Sequence, residues 1–244
     1  LKIESMTILH YGLDYLPFAL KSVYDQVDRL HVVYSPHPSH GHRTDAVCPE
    51  TEDELKEAAL FVGPKVGWIK VERFWNEGDH RDYALSLCGD ADVVLVVDAD
   101  EVWDPDVLER ALKTVWDGSA ATWRLEFRTP WRSFNWLCTD HMKPDRLRDQ
   151  RPGRRDEFGY LPSDWDVWHF GYAVSSEIMS YKIKIHGHLN EWRDNWYEEK
   201  WEPWPPPDDV HPTCEDTWHP APFDKERLPG LMKLHPFWSK EKIE

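Results

Sequence analysis

Asp98-Ala99-Asp100-Glu101 places three acids directly after the apolar run Val93-Val94-Leu95-Val96-Val97. Side chains alternate along a strand, so Asp98 and Asp100 point the same way if the strand geometry continues through them. Two carboxylates a few ångströms apart repel unless a cation lies between them. Oxygen donors of this kind suit Mg²⁺ or Mn²⁺, and such an ion can stabilise charge developing on a phosphate leaving group. The plainer reading is that the acids solvate a strand end and cap the next helix. A D-x-D tripeptide alone favours that reading; its place after a buried strand reverses the balance.

Other residue types that do chemistry are more scattered. Lys143, Arg146, Arg148, Arg151, Arg154 and Arg155 crowd one short segment that is able to meet an anionic substrate or form a solvated loop. His169 lies in the aromatic stretch Asp166-Val167-Trp168-His169-Phe170-Gly171-Tyr172, and His186-Gly187-His188 also invites a metal reading. Residues 186 and 188 do not share a helix face, which weakens that second site. His37, His40 and His42 read as surface or loop residues.

The elements that must position these groups are legible mainly in the first half. Ile3 to Leu9, Leu30 to Tyr34, Val66 to Phe74 and Val93 to Val97 read as strands. Helices are expected from Asp14, acting as a cap, to Tyr24; from the capping box at Thr51 to Phe61; from Gly78 to Cys88; and from Asp104-Pro105 to Val115. Strand and helix thus alternate before Gly118, which predicts a doubly wound α/β layer with ligands at the carboxyl ends of its strands. Beyond it, Thr122 to Thr129 reads as one strand, residues 139–165 as a long loop and Val167 to Ala173 as a strand. Ser175 or Ser176 caps a helix carrying Ile178, Met179, Ile183 and His186. Pro203, Pro205, Pro206 and Pro207 mark an extended arm running to Glu244.

A formal net charge of -16 opposes broad nucleic-acid binding without excluding a local basic groove. The 15 tryptophans suit sugar stacking, base stacking or core packing equally well, so they decide nothing. Cys48, Cys88, Cys138 and Cys214 are widely spaced, which argues against a disulfide scaffold or structural zinc site and favours reduced thiols in a cytoplasm, bacterial or that of a virus's host. No apolar run approaches the roughly 20 residues of a membrane span, and no signal peptide is evident.

Asn76-Glu77-Gly78-Asp79-His80-Arg81-Asp82-Tyr83-Ala84-Leu85, followed by Asp92 to Val97 and Asp98-Ala99-Asp100-Glu101, resembles the corresponding stretch of the family 2 glycosyltransferases. The resemblance covers residues 1–118 well and 119–190 in outline. It implies a GT-A fold: a mostly parallel central sheet flanked by helices, with residues 1–118 as the nucleotide-sugar half and 119–200 as the acceptor half. Residues 201–244 would be a proline-rich extension packed on that domain. By the same resemblance Asp100 matches the direct metal ligand, and Asp98 the acid that contacts the ribose or reaches the metal through water. Arg81 matches the arginine that helps to hold the nucleotide. Asp82 stands where the family usually has asparagine. Tyr11 and Ser35 fall where the nucleoside is gripped, and Asp45 is a possible substitute for an aspartate missing after the second strand. His169 is the candidate that completes the metal shell.

The activity so implied is inverting transfer of a hexosyl or pentosyl group from a nucleotide-sugar, UDP-linked by expectation, to a hydroxyl acceptor, with Mn²⁺ or Mg²⁺. A carboxylate must then take the acceptor's proton. Asp145, in Pro144-Asp145, resembles a segment near the acceptor in some family members; Asp140 and Glu126 are the alternatives. The acceptor is open between a glycan and a hydroxymethylated base in phage DNA, the latter because the basic segment and tryptophans suit a phosphate backbone and an extruded base. A sugar nucleotidyltransferase is a second class, but Leu9-His10-Tyr11-Gly12-Leu13 lacks the glycine-rich loop it would need. A non-catalytic sugar- or nucleic-acid-binding module is a third, opposed by the intact acid pair.

Overall fold

The computed structural model describes residues 1–39, 45–139, 142–185 and 191–244. Four parallel strands carry the first half: β1 (Ile3–Leu9), β2 (Arg29–Tyr34), β3 (Val66–Lys70) and β4 (Val93–Val96). They order as β4-β1-β2-β3, with β1 paired in parallel to both β2 and β4. The helices between them are α1 (Leu16–Val23), α2 (Glu52–Phe61) and α3 (Glu77–Ser86), and α4 (Pro105–Asp117) follows.

Period two sorts the core. Leu9, Leu30, Val32, Val93 and Leu95 pack with the apolar faces of α1, α2 and α4. Met6, Val33, Val94 and Val96 point to the other face and pack with Ala84 of α3 and with Cys88. The capping box at Thr51 and the Asp104 cap over Pro105 are both present. Asp14 is not a cap: α1 starts after Tyr15, with no side-chain cap bond and Pro17 in its first turn. Asn76, absent from the sequence expectation, caps α3 by accepting from the Asp79 N–H at 2.9 Å.

The second half departs further from expectation. The single strand expected over Thr122–Thr129 is two: β6 (Ala120–Arg124) joins the first sheet, whereas β7 (Phe127–Pro130) joins a second. The expected loop 139–165 contains two strands, β9 (Asp145–Asp149) and β10 (Arg155–Tyr160). Strand β9 lies between β4 and β6, antiparallel to both, and β10 closes the edge, giving the order β10-β6-β9-β4-β1-β2-β3. The polarity of β9 hides it. Arg146 and Asp149 are nearly fully buried, and charge partners rather than apolar character make that burial tolerable. The architecture is therefore α/β, with a mostly parallel central sheet flanked by helices.

The second sheet orders β12-β8-β7-β11-β5, where β5 is Glu101–Val102, β8 Trp136–Thr139, β11 Val167–His169 and β12 Pro220–Pro222. Helix α5 (Ser176–Ile185) follows β11, with the Ile178 N–H donating to Ser175 Oγ at 3.2 Å. The expected extended arm is woven into this half. Strand β12 pairs with β8, and Trp201, Val210, Trp218, Met232, Phe237 and Ile243 are buried with Trp131 and Phe134. Several tryptophans are thus core: Trp131 packs edge-on to Trp196, Trp201 and Trp218. No described helix is long and apolar enough to cross a membrane, and the four cysteines are free.

Trp201→Ala removes a fully buried ring from this core. It is expected to cost about 3–5 kcal/mol in denaturant unfolding. A loss under about 1 kcal/mol, the range of a surface substitution, would show that the arm is dispensable to the fold.

Candidate active site at the carboxyl ends of β1 and β4

Strand β4 ends at Val96, and residues 98–101 form a turn closed by the Glu101 N–H donating to the Asp98 carbonyl at 3.0 Å. The strand period therefore does not carry through, and Asp98 and Asp100 take different partners. Arg81, from α3, donates to Asp98 Oδ1 at 3.0 Å and Oδ2 at 3.2 Å, and Arg146 Nη2 donates to Oδ2 at 2.9 Å. Arg146 also grips Glu101 through Nε, at 3.0 and 2.8 Å, and through Nη2. Burial alone would raise the Asp98 carboxyl, but Arg81 and then Arg146 hold it well below the usual carboxylate range. Burial raises Glu101 to about 6 against the pull of Arg146, which donates to both its oxygens. Both acids of this group are thus occupied by guanidinium groups.

Asp100 faces elsewhere. Its Oδ2 lies 3.6 Å from His169 Nε2, and its carbonyl accepts from the Phe170 N–H at 2.7 Å. Strand β11 pairs antiparallel with β5, placing His169 opposite Glu101, so the ladder itself brings the imidazole to the turn. Gly171 completes the arrangement. A Cβ there would fall 2.6 Å from His169 Nε2 and 2.8 Å from Asp100 Oδ2, so only glycine leaves both donor atoms clear. Bond lengths of about 2.1 Å to a hard divalent cation put adjacent donor atoms roughly 3 Å apart, so a small closure of this gap suffices. Asp100 and His169 are the pair here that could hold a divalent cation, with Asp98 behind them paired to arginine.

Two cavities meet here. The first, about 220 Å³, is lined by Tyr11, Gly12, His80, Asp98, Asp100 and Lys182 among others. The second, about 610 Å³, is lined by Asp82, Asp145, Arg148, His211 and Trp218 among others. Arg81, Asp98, His169 and Lys182 border both.

Of the remaining sequence candidates, Tyr11 lines the first cavity, and burial followed by the charge of Asp100 pushes its hydroxyl well above the usual value. Ser35 is not in either lining: it is buried and its Oγ donates to the His37 carbonyl at 2.9 Å. Asp45 is exposed and lines neither cavity. Asp145 lines the second, with Oδ1 accepting from Arg124 Nε at 2.5 Å. Glu126 lines neither and pairs with Lys143 at 2.8 Å. Asp140, His40, His42 and His186-Gly187-His188 lie outside the described residues. Most of the basic segment is paired with acids, Lys143, Arg146, Arg151, Arg154 and Arg155 included, whereas Arg148 lines the second cavity.

Sequence reasoning missed three groups. Lys182, on α5, donates to the Gly171 carbonyl at 2.9 Å and sits 4.4 Å over the Tyr172 ring; burial, against the pull of Asp100, lowers its ammonium pKa. Glu50 accepts from the Gly12 N–H at 2.6 Å and the Leu13 N–H at 3.0 Å, pinning the loop after β1. Gly12 has φ +132° and its would-be Cβ lies 3.0 Å from that of Ala99, so the close pass of this loop over the acid turn requires glycine. Arg146 was visible only as one member of a charge run. The Gly171 in His169-Phe170-Gly171 was the one local signal for a crowded donor pair.

No family model matches the chain, and no curated protein is similar to it. Among solved structures it is similar to glucosyl-3-phosphoglycerate synthase from Mycobacterium tuberculosis, in complex with Mn²⁺, uridine diphosphate and phosphoglyceric acid. That likeness has 14% identity and a TM-score of 0.40 over 52% of this chain and 43% of that one. It is also similar to S. aureus TarS 1-349, at 12% identity and a TM-score of 0.45 over 70% of this chain and 61% of that one. The chain spans less than two thirds of the length of either.

His169 must be neutral to bind a cation. Burial lowers its pKa, but Asp100 outweighs burial and the net shift is upward from the ordinary value. Mn²⁺ affinity, measured by calorimetry, is expected to rise with pH through a midpoint above about 6.5 and then level off. Gly171→Ala is expected to abolish Mn²⁺ binding while leaving the circular dichroism spectrum unchanged; retained binding would show that the ion does not sit between these two donors.

Proposed function

We propose that the protein is a metal-dependent glycosyltransferase of the GT-A type, moving a sugar from a nucleotide diphosphate donor, UDP by preference, to a hydroxyl acceptor. The observation that carries this reading is the Asp100–His169 pair, held open by Gly171, at the junction of two cavities. Cavities at the carboxyl ends of a parallel sheet are where nucleotides bind in such folds. When bound, the divalent ion would neutralise charge building on the leaving diphosphate.

The protein's own residues then divide the work. The first cavity takes the donor, with Tyr11 and the Glu50-pinned loop forming one wall. Lys182 borders both cavities and supplies positive charge where the donor's diphosphate and the acceptor meet, while Arg81, paired with Asp98 and Glu77, lines the same junction. The Arg81–Asp98–Arg146–Glu101 network holds that region rigid, so little reorganisation is needed as charge moves. The second cavity takes the acceptor. Asp145 is the candidate general base there: Arg124 engages Oδ1 and orients the carboxylate, while Oδ2 is left to accept the acceptor hydroxyl's proton. Pairing of most of the basic segment with acids weakens the case for a DNA acceptor, and the aromatic wall of Tyr172 and Trp218 suits a sugar ring.

The test is UDP release from a panel of UDP-sugars with Mn²⁺, Mg²⁺ or EDTA. Release is expected only with a divalent ion, and Asp100→Asn is expected to lose it while staying folded. Metal-independent release, or full activity of Asp100→Asn, would refute the assignment. Lys182→Ala is expected to lower kcat by about 10²-fold with a smaller change in donor KM. Asp145→Asn is expected to slow transfer by about 10²–10⁴-fold with donor affinity unchanged.

A further inference from the structure

Away from the cavities, at the amino ends of β1 and β2, the layer between the sheet and α3 holds a group that the proposed reaction does not use. Glu4 on β1, His31 on β2 and Cys88 just beyond α3 each direct one ligand atom to a common point, all within 4.8 Å of one another. They are 5%, 4% and 0% exposed, among Met6, Val33 and Val94. A carboxylate, an imidazole and a thiol are an unlikely set to bury in one apolar layer for packing alone.

We propose that Glu4, His31 and Cys88 form a second metal site, selective for zinc over the hard ions of the active site. Thiolate and imidazole donors favour zinc, whereas Mg²⁺ and Mn²⁺ prefer oxygen. The imidazole is already poised: His31 Nε2 meets Glu4 Oε2 at 2.7 Å, while its Nδ1 is buried without a hydrogen-bond partner. With Zn–S near 2.3 Å and Zn–N or Zn–O near 2.1 Å, tetrahedral donors stand roughly 3.3–3.7 Å apart. The Glu4–His31 contact must therefore widen slightly and the Cys88 sulfur move in by about 1 Å, both within side-chain adjustment. Binding replaces the thiol proton, which is released to solvent, and the Nε2 proton, which the imidazole carries instead on its unpartnered Nδ1; water takes the fourth position. Lys2, half-exposed, covers the site by bonding Glu4 Oε1 at 2.9 Å, and swinging it into solvent opens a way in. The ion would tie β1, β2 and the end of α3 together, so its role is stabilisation and is independent of the reading of the cavities.

Full-length protein stripped with EDTA and titrated with Co²⁺ provides the test, because a cobalt–thiolate bond has an intense near-ultraviolet charge-transfer band. One equivalent is expected to produce the band, and Zn²⁺ to displace it. Cys88→Ser is expected to lose the band and His31→Gln to weaken binding, whereas Cys48→Ser and Asp100→Ala keep it. Zn²⁺ is also expected to raise the melting temperature of the wild type and not of Cys88→Ser. No band in the wild type, or a band that survives Cys88→Ser, overturns the proposal; the wild-type titration decides even if a variant fails to fold.

Discussion

Arg146 is the residue on which the site's geometry turns. Its guanidinium, buried on β9, binds Asp98 in the turn after β4 and Glu101 on β5. Asp98 follows a strand of the central sheet and Glu101 lies in the smaller one, so one side chain on β9 ties the two together. A buried guanidinium left without its acids would be strongly destabilising, and acids left without it would be equally so. The network therefore holds together as a unit. Because Glu101 pairs in register with His169, its position also sets where the imidazole stands relative to Asp100.

This constraint gives Asp98 and Asp100 separate roles. Asp98 is saturated by Arg81 and Arg146, so its charge is spent inside the protein. Asp100 keeps its charge facing a histidine and an open space maintained by a missing Cβ. Asp98 still repels Asp100, but Arg81 and Arg146 answer its charge, so the pair no longer demands a cation between its two acids. The cation-binding potential survives on a different donor set, in which carboxylate and imidazole attract rather than repel and protons compete with metal at His169.

The C-terminal residues have a similar double character. Proline-rich chain that reads as an extension packed on the domain supplies Trp201, Met232 and Phe237 to the second core and His211 and Trp218 to the wall of the larger cavity. Tryptophan serves here first as packing volume, and the acceptor wall is an edge of that packing.

Local pattern alone determined the first half: the valine-rich run at Val93, the caps at Thr51 and Asp104 and the strand–helix alternation are short-range signals that survive in the fold. The acid turn, too, was legible, since charge ending an apolar strand is a local anomaly. Only the tertiary structure decided which acid faces what, because the partners Arg81, Arg146 and His169 lie 17, 48 and 69 residues or more from Asp98 or Asp100 and arrive on separate elements. Strand β9 escaped for the same reason: burial of its arginine depends on distant acids, and a residue's own polarity does not record whether a partner waits inside.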